Sequence, residues 1–266
     1  MVSKVTISKA TLSKAMTSRA MIFAAGLGTR LRPLTDDRPK ALVEIHGRTL
    51  LEITLARLRS FGIRHAVINA HHFADKLIAY LEANHNFGMN IQVSREDDLL
   101  DTGGGLKKAA PFFLDNARPE ELILIHNVDV ISAIDLARMA EAHAATHALA
   151  TLAVQERETS RYLLFDENLQ LCGRRIGSAG PYELVRPAHQ VQPFAFSGIH
   201  IVSPRLLANL TEQGAFSIIT SYLRLAGQGE KILAFRADGS YWRDLGRLDD
   251  LNQAAADLDQ QLWRPD

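Results

Sequence analysis

The first half of the chain alternates two patterns of apolar residues. Apolar runs of strand length occupy residues 20–25, 66–70, 122–125 and 148–154. Between them, apolar side chains recur at the spacing of one helix face, as from Leu50 to Phe61. The same spacing predicts helices over residues 73–83 and 134–145 and one after residue 105, with a short strand at 91–94. Strands that alternate with helices of this length are typical of a mostly parallel sheet covered on both faces.

The pattern changes near Glu156. Strand-like runs follow without intervening helices, which indicates an antiparallel insertion; they occupy residues 162–166, 169–173 and 194–202. Helices are predicted over 204–210, 218–226 and 248–262, and short strands over 232–236 and 240–243. We therefore expect one α/β domain over residues 20–266, with a small antiparallel lobe.

Residues 1–19 differ from the rest of the chain. They are rich in Ser, Thr, Lys and Ala, contain no acidic residue and lack the continuous apolar core of a secretory signal. We interpret them as a flexible extension outside the domain. With no run of about 18 apolar residues, the chain is expected to be cytoplasmic and to have no membrane partner.

The charge balance bears on the class of ligand. The 266 residues include 30 Lys plus Arg and 30 Asp plus Glu, which argues against a nucleic-acid partner. A small anionic substrate remains compatible with this balance, because its site needs only a few cations. The single cysteine, Cys172, excludes an internal disulfide and a four-thiolate zinc site.

A loop after the first predicted strand has the composition of a phosphate site. It reads GLGTRLRPLT from Gly26 to Thr35 and is followed by PKAL, which begins at Pro39. Its two glycines can expose backbone N–H groups, and Arg30 and Lys40 supply positive charge. It is neither a Walker A loop nor a complete dinucleotide fingerprint.

The order of these residues resembles the signature of sugar-1-phosphate nucleotidyltransferases, G-x-G-T-R-x-x-P-x-T followed by P-K-x-L. The resemblance covers about residues 20–257 and implies a Rossmann-like nucleotide-diphospho-sugar transferase fold. It implies that Arg30 and Lys40 are catalytic, neutralising charge on the α-phosphate and on the departing pyrophosphate. The residues expected to bind the nucleoside triphosphate here are Ala24, Ala25, Gly26, Gly28, Thr29, Arg30 and Lys40.

Two aspartates are candidate magnesium ligands. Asp129 follows an apolar strand, where an open α/β sheet binds ligands, and Asp244 lies in a W-x-D-x-G pattern that the family also carries. The resemblance implies that both bind Mg²⁺, for which two carboxylates plus phosphate oxygens are suitable donors. The alternatives are a helix cap for Asp129 and a turn for Asp244. Val128 stands where the family has glycine.

The glycine-rich segment DTGGGL, which begins at Asp101, is similar to a segment of N-acetylmuramate-1-phosphate uridylyltransferases. It implies that Thr102, Gly103 and Gly104 contact the base, whereas the alternative is a flexible entry to a helix. On the sugar side, the resemblance points to Asn127, Phe196 and Gly198, with core packing as the alternative for Phe196. The family's E-K-P lysine has no counterpart, and Arg174, Arg175 and Arg186 are its possible replacements.

The expected reaction joins a nucleoside triphosphate to a sugar 1-phosphate and releases pyrophosphate, with UTP and N-acetylmuramate 1-phosphate as the first choice. Mannose-1-phosphate guanylyltransferase and a non-catalytic nucleotide-sugar-binding protein are the alternatives. A glycosyltransferase of related fold would call for a D-x-D motif, and position 127 is Asn. The oligomeric state is not predicted.

Overall fold

The computed structural model describes residues 19–115, 121–177 and 179–264. Its strands are β1 (Arg19–Phe23), β2 (Glu44–Ile45), β3 (Arg48–Thr49), β4 (His65–Ala70), β5 (Asn90–Arg95), β6 (Ile123–Asn127), β7 (Val130–Ser132), β8 (Ala150–Gln155), β9 (Arg161–Phe165), β10 (Leu171–Ile176), β11 (Tyr182–Leu184), β12 (Gln192–Val202), β13 (Ile232–Arg236) and β14 (Trp242–Asp244). Its α-helices are α1 (Leu50–Ser60), α2 (Ala74–Ala83), α3 (Asp101–Leu114), α4 (Leu136–Thr146), α5 (Arg205–Ala208), α6 (Ile218–Gly227) and α7 (Leu248–Asp259).

The predicted parallel sheet is present in the first half of the chain. Strands β5, β4, β1 and β6 lie side by side in that order and pair in parallel. Alternate residues of β1 enter different cores: Ile22 packs with α1 and α2 on one face, and Met21 packs with α3 and α6 on the other. This confirms the α/β fold, since strands buried on both faces need helices on both sides.

The strands after Glu156 continue the same sheet. One half of β12 pairs antiparallel with β6, through Ile199 opposite His126, and the other half pairs with β9, through Ala195 opposite Tyr162. Strands β10 and β11 extend this edge, and β8 and β13 form a branch on β12. The predicted antiparallel part is therefore joined to the parallel part through one long strand.

Several boundaries differ from the sequence-based ones, among them those at Arg19, at the glycine-rich segment and after residue 204. Arg19 begins β1, one residue before the first strand expected at residue 20, and its guanidinium donates hydrogen bonds to the carbonyls of Phe112 and Phe113 at 3.2 and 3.1 Å. Residues 1–18 of the expected extension lie outside the described residues. Helix α3 includes the glycine-rich segment that was expected to precede it. The helix expected over 204–210 has only four residues, because the Asn209 side chain donates to the Arg205 carbonyl at its end.

Within the described ranges, no helix is both long enough and apolar enough to cross a membrane. The longest helix, α3, has 14 residues, whereas a span needs about 20.

Three histidines are buried in the packing of the sheet and helices. His126 and His200 lie on neighbouring strands, and His143 on α4 contacts the hydroxyls of Thr151 and Ser203 at 2.8 and 3.1 Å. Burial lowers the pKa of His126 and His143 from 6.5 to about 4 and that of His200 to about 3. All three are therefore neutral in the folded protein at pH 7.

These histidines make the folding stability dependent on pH. Below pH 6.5 these histidines are protonated in the unfolded chain but stay neutral in the folded one. The free energy of unfolding should therefore fall as the pH drops from about 6.5 to about 4. Each histidine should cost ~1.4 kcal/mol per pH unit in this window. Denaturant unfolding at pH 7 and pH 5.5 measures the loss. His143→Gln should reduce it and exposed His65→Gln should not; equal stability at both pH values would contradict the expectation.

Candidate active site

The carboxyl ends of three parallel strands meet at one edge of the sheet. The backbone N–H of Ala24, just past β1, donates to the side-chain oxygen of Asn69 near the end of β4 at 2.7 Å. Asn127 ends β6 directly beside β1, opposite Phe23. In open α/β sheets ligands bind in the crevice at this edge.

The phosphate-loop candidate after β1 is a tight turn with one open glycine. Gly28 has a φ of 65°, and its carbonyl accepts a hydrogen bond from the Thr35 hydroxyl at 2.9 Å. A Cβ on Gly28 would lie 3.0 Å from the Thr35 methyl carbon, so the loop closes on itself here. A Cβ on Gly26 would meet nothing within 4 Å. The backbone of Gly26 is therefore the part of this loop that a ligand can approach, beside the exposed Thr29 and Arg30.

Lys40 is buried, although the loop that contains it is polar. Only 7% of the residue is exposed, and its ammonium forms an ion pair with the Asp129 carboxylate. The lysine and the aspartate are 89 residues apart in sequence, so only the fold brings them together. One of the expected phosphate cations thus contacts one of the expected metal ligands.

Backbone pairing holds the two candidate metal ligands near each other. Asp244 in β14 lies opposite Val130 in β7, and the Leu245 N–H donates to the Asp129 carbonyl at 2.7 Å. Burial raises the pKa of the Asp244 carboxyl, and the Asp129 charge raises it further, against the lowering effect of Lys40. Two carboxylates in this position favour a cation between or beside them.

Arg30 is the second cation near this pair. A Cβ on Gly246 would lie 2.7 Å from an Arg30 guanidinium nitrogen and 2.7 Å from Oδ1 of Asp244. The Gly246 N–H also donates to that Asp244 oxygen at 2.7 Å. The missing side chain of Gly246 therefore leaves room for Arg30 beside Asp244.

The donor set suits a hard cation that keeps ligands from substrate or water. Among the described residues, no group of three or more His, Cys, Asp or Glu side chains could hold a metal, so the protein offers the two carboxylates alone. Mg²⁺ is bound in this way when phosphate oxygens complete its shell. Val128, in place of the family's glycine, is 4% exposed and packs into the core, so its side chain does not obstruct the site.

A buried polar network that sequence reasoning missed supports the nucleotide side of the site. Asn69 accepts from Ala24 N–H and donates to Glu96 Oε1 at 2.8 Å, and the other Glu96 oxygen accepts from Leu100 N–H at 3.1 Å. A Cβ on Gly105 would lie 2.7 Å from Glu96 Oε1. A polar residue inside the apolar run at 66–70 was the available signal, since buried polar groups are hydrogen-bonded.

The other glycines of the expected base site are packed against the protein itself. A Cβ on Gly103 would lie 2.2 Å from the Phe216 ring, and one on Gly104 would lie 2.6 Å from the Gly214 carbonyl. The Thr102 hydroxyl accepts from Ile218 N–H at 3.0 Å. These contacts explain the glycines by close helix packing, and base binding by this segment stays a prediction.

On the expected sugar side, one residue is a packing residue and two lie at the crevice. The Phe196 ring meets the His200 ring edge-on, with centroids 5.3 Å apart, which is the core role considered as its alternative. Gly198 has a φ of 72°, and a Cβ there would lie 2.8 Å from the Asn127 amide nitrogen. The Ser197 carbonyl between them accepts from the Trp242 indole N–H at 2.8 Å.

A cavity of about 620 Å³ lies at the opposite edge of the sheet, where β1 and β4 begin. Arg19, His65 and Phe112 are among its lining residues, and none of the expected site residues is. It lies far from the crevice because the amino and carboxyl ends of parallel strands are opposite edges of the sheet. We therefore place the active site in the crevice.

The packing of Gly103 gives a stability prediction. Gly103→Ala should destabilise the fold by about 2 kcal/mol or more, because its methyl group would overlap the Phe216 ring. Gly239→Ala is the matched control, since a Cβ there meets nothing within 4 Å, and it should change stability by less than ~0.5 kcal/mol. Urea unfolding compares the two. If both variants match the wild type, the close packing of this helix turn is refuted.

Comparisons with known proteins identify the family of this chain. A family model described as nucleotidyl transferase matches residues 19–261. The N-acetylmuramate alpha-1-phosphate uridylyltransferase of Caulobacter vibrioides is 35% identical over 215 residues, 78% of this chain and 84% of that protein. The protein of the same name from Neisseria meningitidis serogroup B is 30% identical over 237 residues, 88% of this chain and 96% of its own.

A solved structure of UDP-glucose pyrophosphorylase complexed with UDP-glucose is similar in fold. The TM-score is 0.75 and the sequence identity is 16%, and the superposition covers 92% of this chain and 100% of the other. At this identity the likeness supports the fold alone. The family model and the two relatives, however, extend over most of the chain and confirm the resemblance inferred from the GLGTRLRPLT and PKAL segments. The chain belongs to the nucleotidyl transferase family.

Proposed function

We propose that this chain joins UTP to N-acetylmuramate 1-phosphate, giving UDP-N-acetylmuramate and pyrophosphate. The observation that carries the proposal is the juxtaposition of Asp129 and Asp244 with Lys40 and Arg30 at the carboxyl ends of the parallel strands. The Caulobacter and Neisseria relatives carry this activity in their names. The DTGGGL segment shared with that branch supports the same choice of substrates.

The proposed reaction needs no general base from the protein. A phosphate oxygen of the sugar phosphate attacks the α-phosphorus in line, forming a new O–P bond as the bond to the β-phosphate oxygen breaks. The electron pair leaves with pyrophosphate. Because the attacking phosphate is already anionic at neutral pH, no proton has to be removed, and catalysis consists of positioning and charge stabilisation.

Each charged residue then has a distinct task. The exposed guanidinium of Arg30 is placed to receive phosphate oxygens as a fork, and the backbone of Gly26 leaves space for them. Lys40, fixed by its contact with Asp129, is a point charge for the α-phosphate or the leaving group. Asp129 and Asp244 would hold Mg²⁺, which supplies further neutralisation of the phosphates when bound.

A purely regulatory nucleotide-sugar-binding protein fits these charges less well. Burial of Asp244 near Asp129 is unfavourable for folding, as the raised pKa of Asp244 indicates. A binding module without chemistry gains nothing from keeping two carboxylates in this position. Their retention favours an enzyme.

The choice of substrates is tested by pyrophosphate release. The four common nucleoside triphosphates are combined with a panel of sugar 1-phosphates that includes N-acetylmuramate, mannose and glucose 1-phosphates, with Mg²⁺. We expect the highest kcat/KM for UTP with N-acetylmuramate 1-phosphate. Higher kcat/KM for GTP with mannose 1-phosphate would replace this proposal with the guanylyltransferase alternative, and no release with any pair would refute the enzymatic proposal.

The metal assignment separates stability from activity. Asp244→Asn should fold at least as stably as the wild type, because it removes a buried charge and keeps the oxygen that accepts from Gly246 N–H. Its turnover should nevertheless fall about 10³-fold, as should that of Asp129→Ala, since an electrostatic stabiliser of the transition state is lost. Melting curves and kcat against Mg²⁺ concentration measure both. Near-normal turnover and Mg²⁺ dependence in both variants would remove the metal assignment.

The phosphate cations are tested by a comparison within one loop. Arg30→Ala should melt like the wild type, because the side chain is exposed, but its kcat and kcat/KM should both fall by about 10²-fold or more. Lys40→Met keeps the buried aliphatic stem and should lose activity to a similar extent. Arg32→Ala, which removes an exposed ion pair with Asp36, is the control and should leave kinetics unchanged. Unaltered kinetics in folded Arg30→Ala and Lys40→Met would refute the phosphate-loop assignment.

A further inference from the structure

The antiparallel part of the sheet presents one row of residues on a single face, and this row runs toward the segment that leads to Asp244. Residues directly opposite each other on neighbouring strands project to one side of a sheet, and Ala195, Tyr162, Arg175 and Tyr182 form such a row from β12 to β11. Gln155 extends the row on β8, and its amide donates to the carbonyls of residues 237 and 240 at 2.9 Å. The segment leading to Trp242 and Asp244 therefore crosses this face.

Arg157 lies at the inner end of this face, beside the metal-ligand candidates. Its guanidinium carbon is 3.7 Å from the centroid of the Trp242 ring, and one terminal nitrogen donates to the Phe196 carbonyl at 2.8 Å. Burial lowers the pKa of the Arg157 guanidinium, and the nearby Asp244 carboxylate opposes part of this lowering. The Arg157 Nε is buried and has no hydrogen-bond partner among the described residues.

Arg175 lies further out on the same face, beyond Tyr162. Its guanidinium carbon is 4.4 Å from the Tyr162 ring centroid and 5.5 Å from that of Tyr182. Its Nε is likewise buried without a hydrogen-bond partner in the described part of the chain. Arg175 thus stacks on Tyr162, and within the described residues the side-chain donors of Arg157 and Arg175 have no protein acceptor except the Phe196 carbonyl.

Two neighbouring arginines, Arg174 and Arg186, differ from Arg157 and Arg175 because each forms an ion pair with a carboxylate of the protein. Arg174 projects to the opposite face of β10 and forms an ion pair with Glu183 at 2.6 Å. Arg186 forms an ion pair with Asp166 and also donates to the Leu171 carbonyl at 2.9 Å. Of the three arginines considered in place of the missing E-K-P lysine, only Arg175 makes no ion pair in the described ranges. Arg157, which sequence reasoning did not consider, is the second arginine of this kind.

We propose that Arg157 and Arg175 form a two-point subsite for a sugar 1-phosphate that carries a second anionic group. Arg157, nearest Asp244, binds the 1-phosphate, and Arg175 binds a carboxylate on the sugar, with the Tyr162 ring between them. The inference rests on the proposed function and deepens it. N-acetylmuramate carries such a carboxylate on its lactyl ether, whereas N-acetylglucosamine, otherwise the same sugar, has a hydroxyl there. Arg175 is then the residue that selects the acidic sugar.

The test compares acidic and neutral substrates that otherwise match. kcat/KM is measured with N-acetylmuramate against N-acetylglucosamine 1-phosphate, and with glucuronate against glucose 1-phosphate, using the triphosphate that the wild type prefers. Arg175→Gln should lower kcat/KM about 10-fold or more for the acidic member of a pair, mainly through KM, and change the neutral member less than about 2-fold. Arg175→Lys should retain part of the preference. Arg157→Gln should lower both members about 100-fold.

Arg174→Gln is the matched control, since it is the adjacent arginine on the other face, and it should leave both members unchanged. Melting curves establish that each variant is folded. Two results would overturn the proposal while leaving sugar-1-phosphate nucleotidyl transfer intact. One is an equal loss of kcat/KM for acidic and neutral sugars in folded Arg175→Gln. The other is a wild type that does not prefer the acidic member of either pair. A wild type that releases no pyrophosphate from any sugar overturns the proposed function itself.

Discussion

The site depends on two carboxylates that the fold holds together against their mutual repulsion. Asp129 follows β6 and Asp244 ends β14, and the antiparallel pairing of β7 with β14 keeps their backbones adjacent. The raised pKa of Asp244 records the cost of this arrangement. Lys40 offsets part of it from inside the protein, and Arg30 adds positive charge from the surface. A site that concentrates two anions and two cations in this way is suited to a reaction that transfers a charged phosphoryl group.

The surrounding structure keeps these groups in place while leaving the crevice open. The network of Asn69 and Glu96 joins the ends of β1 and β4 to the start of α3, so this side of the crevice is held by buried hydrogen bonds. Glycines serve two purposes here. Gly103 is small because the protein itself fills the space, whereas Gly26 faces open space that a ligand can enter.

The proposed sugar subsite lies on the antiparallel extension of the sheet. Strand β12 joins this extension to β6, which ends beside the candidate metal ligand Asp129. Trp242 links the two parts, because it precedes Asp244 by two residues, donates to the Ser197 carbonyl and stacks under Arg157. The proposed sugar subsite and the candidate metal ligands are thereby connected through Trp242.

Local patterns in the sequence were sufficient for the fold class and the family. Apolar runs and helical spacing depend on neighbouring residues, and the GLGTRLRPLT segment has its residue types in a fixed order, so both can be read along the chain. Which residues contact across long separations was decided by the tertiary structure. The pairing of Lys40 with Asp129 and the burial of that lysine depend on the sheet that brings residues 89 apart together. The packing of Gly103 against Phe216 also depends on the tertiary structure. So does the proposed choice of Arg175 over Arg174, because the two residues lie on opposite faces of β10 and Arg174 is already paired with a carboxylate.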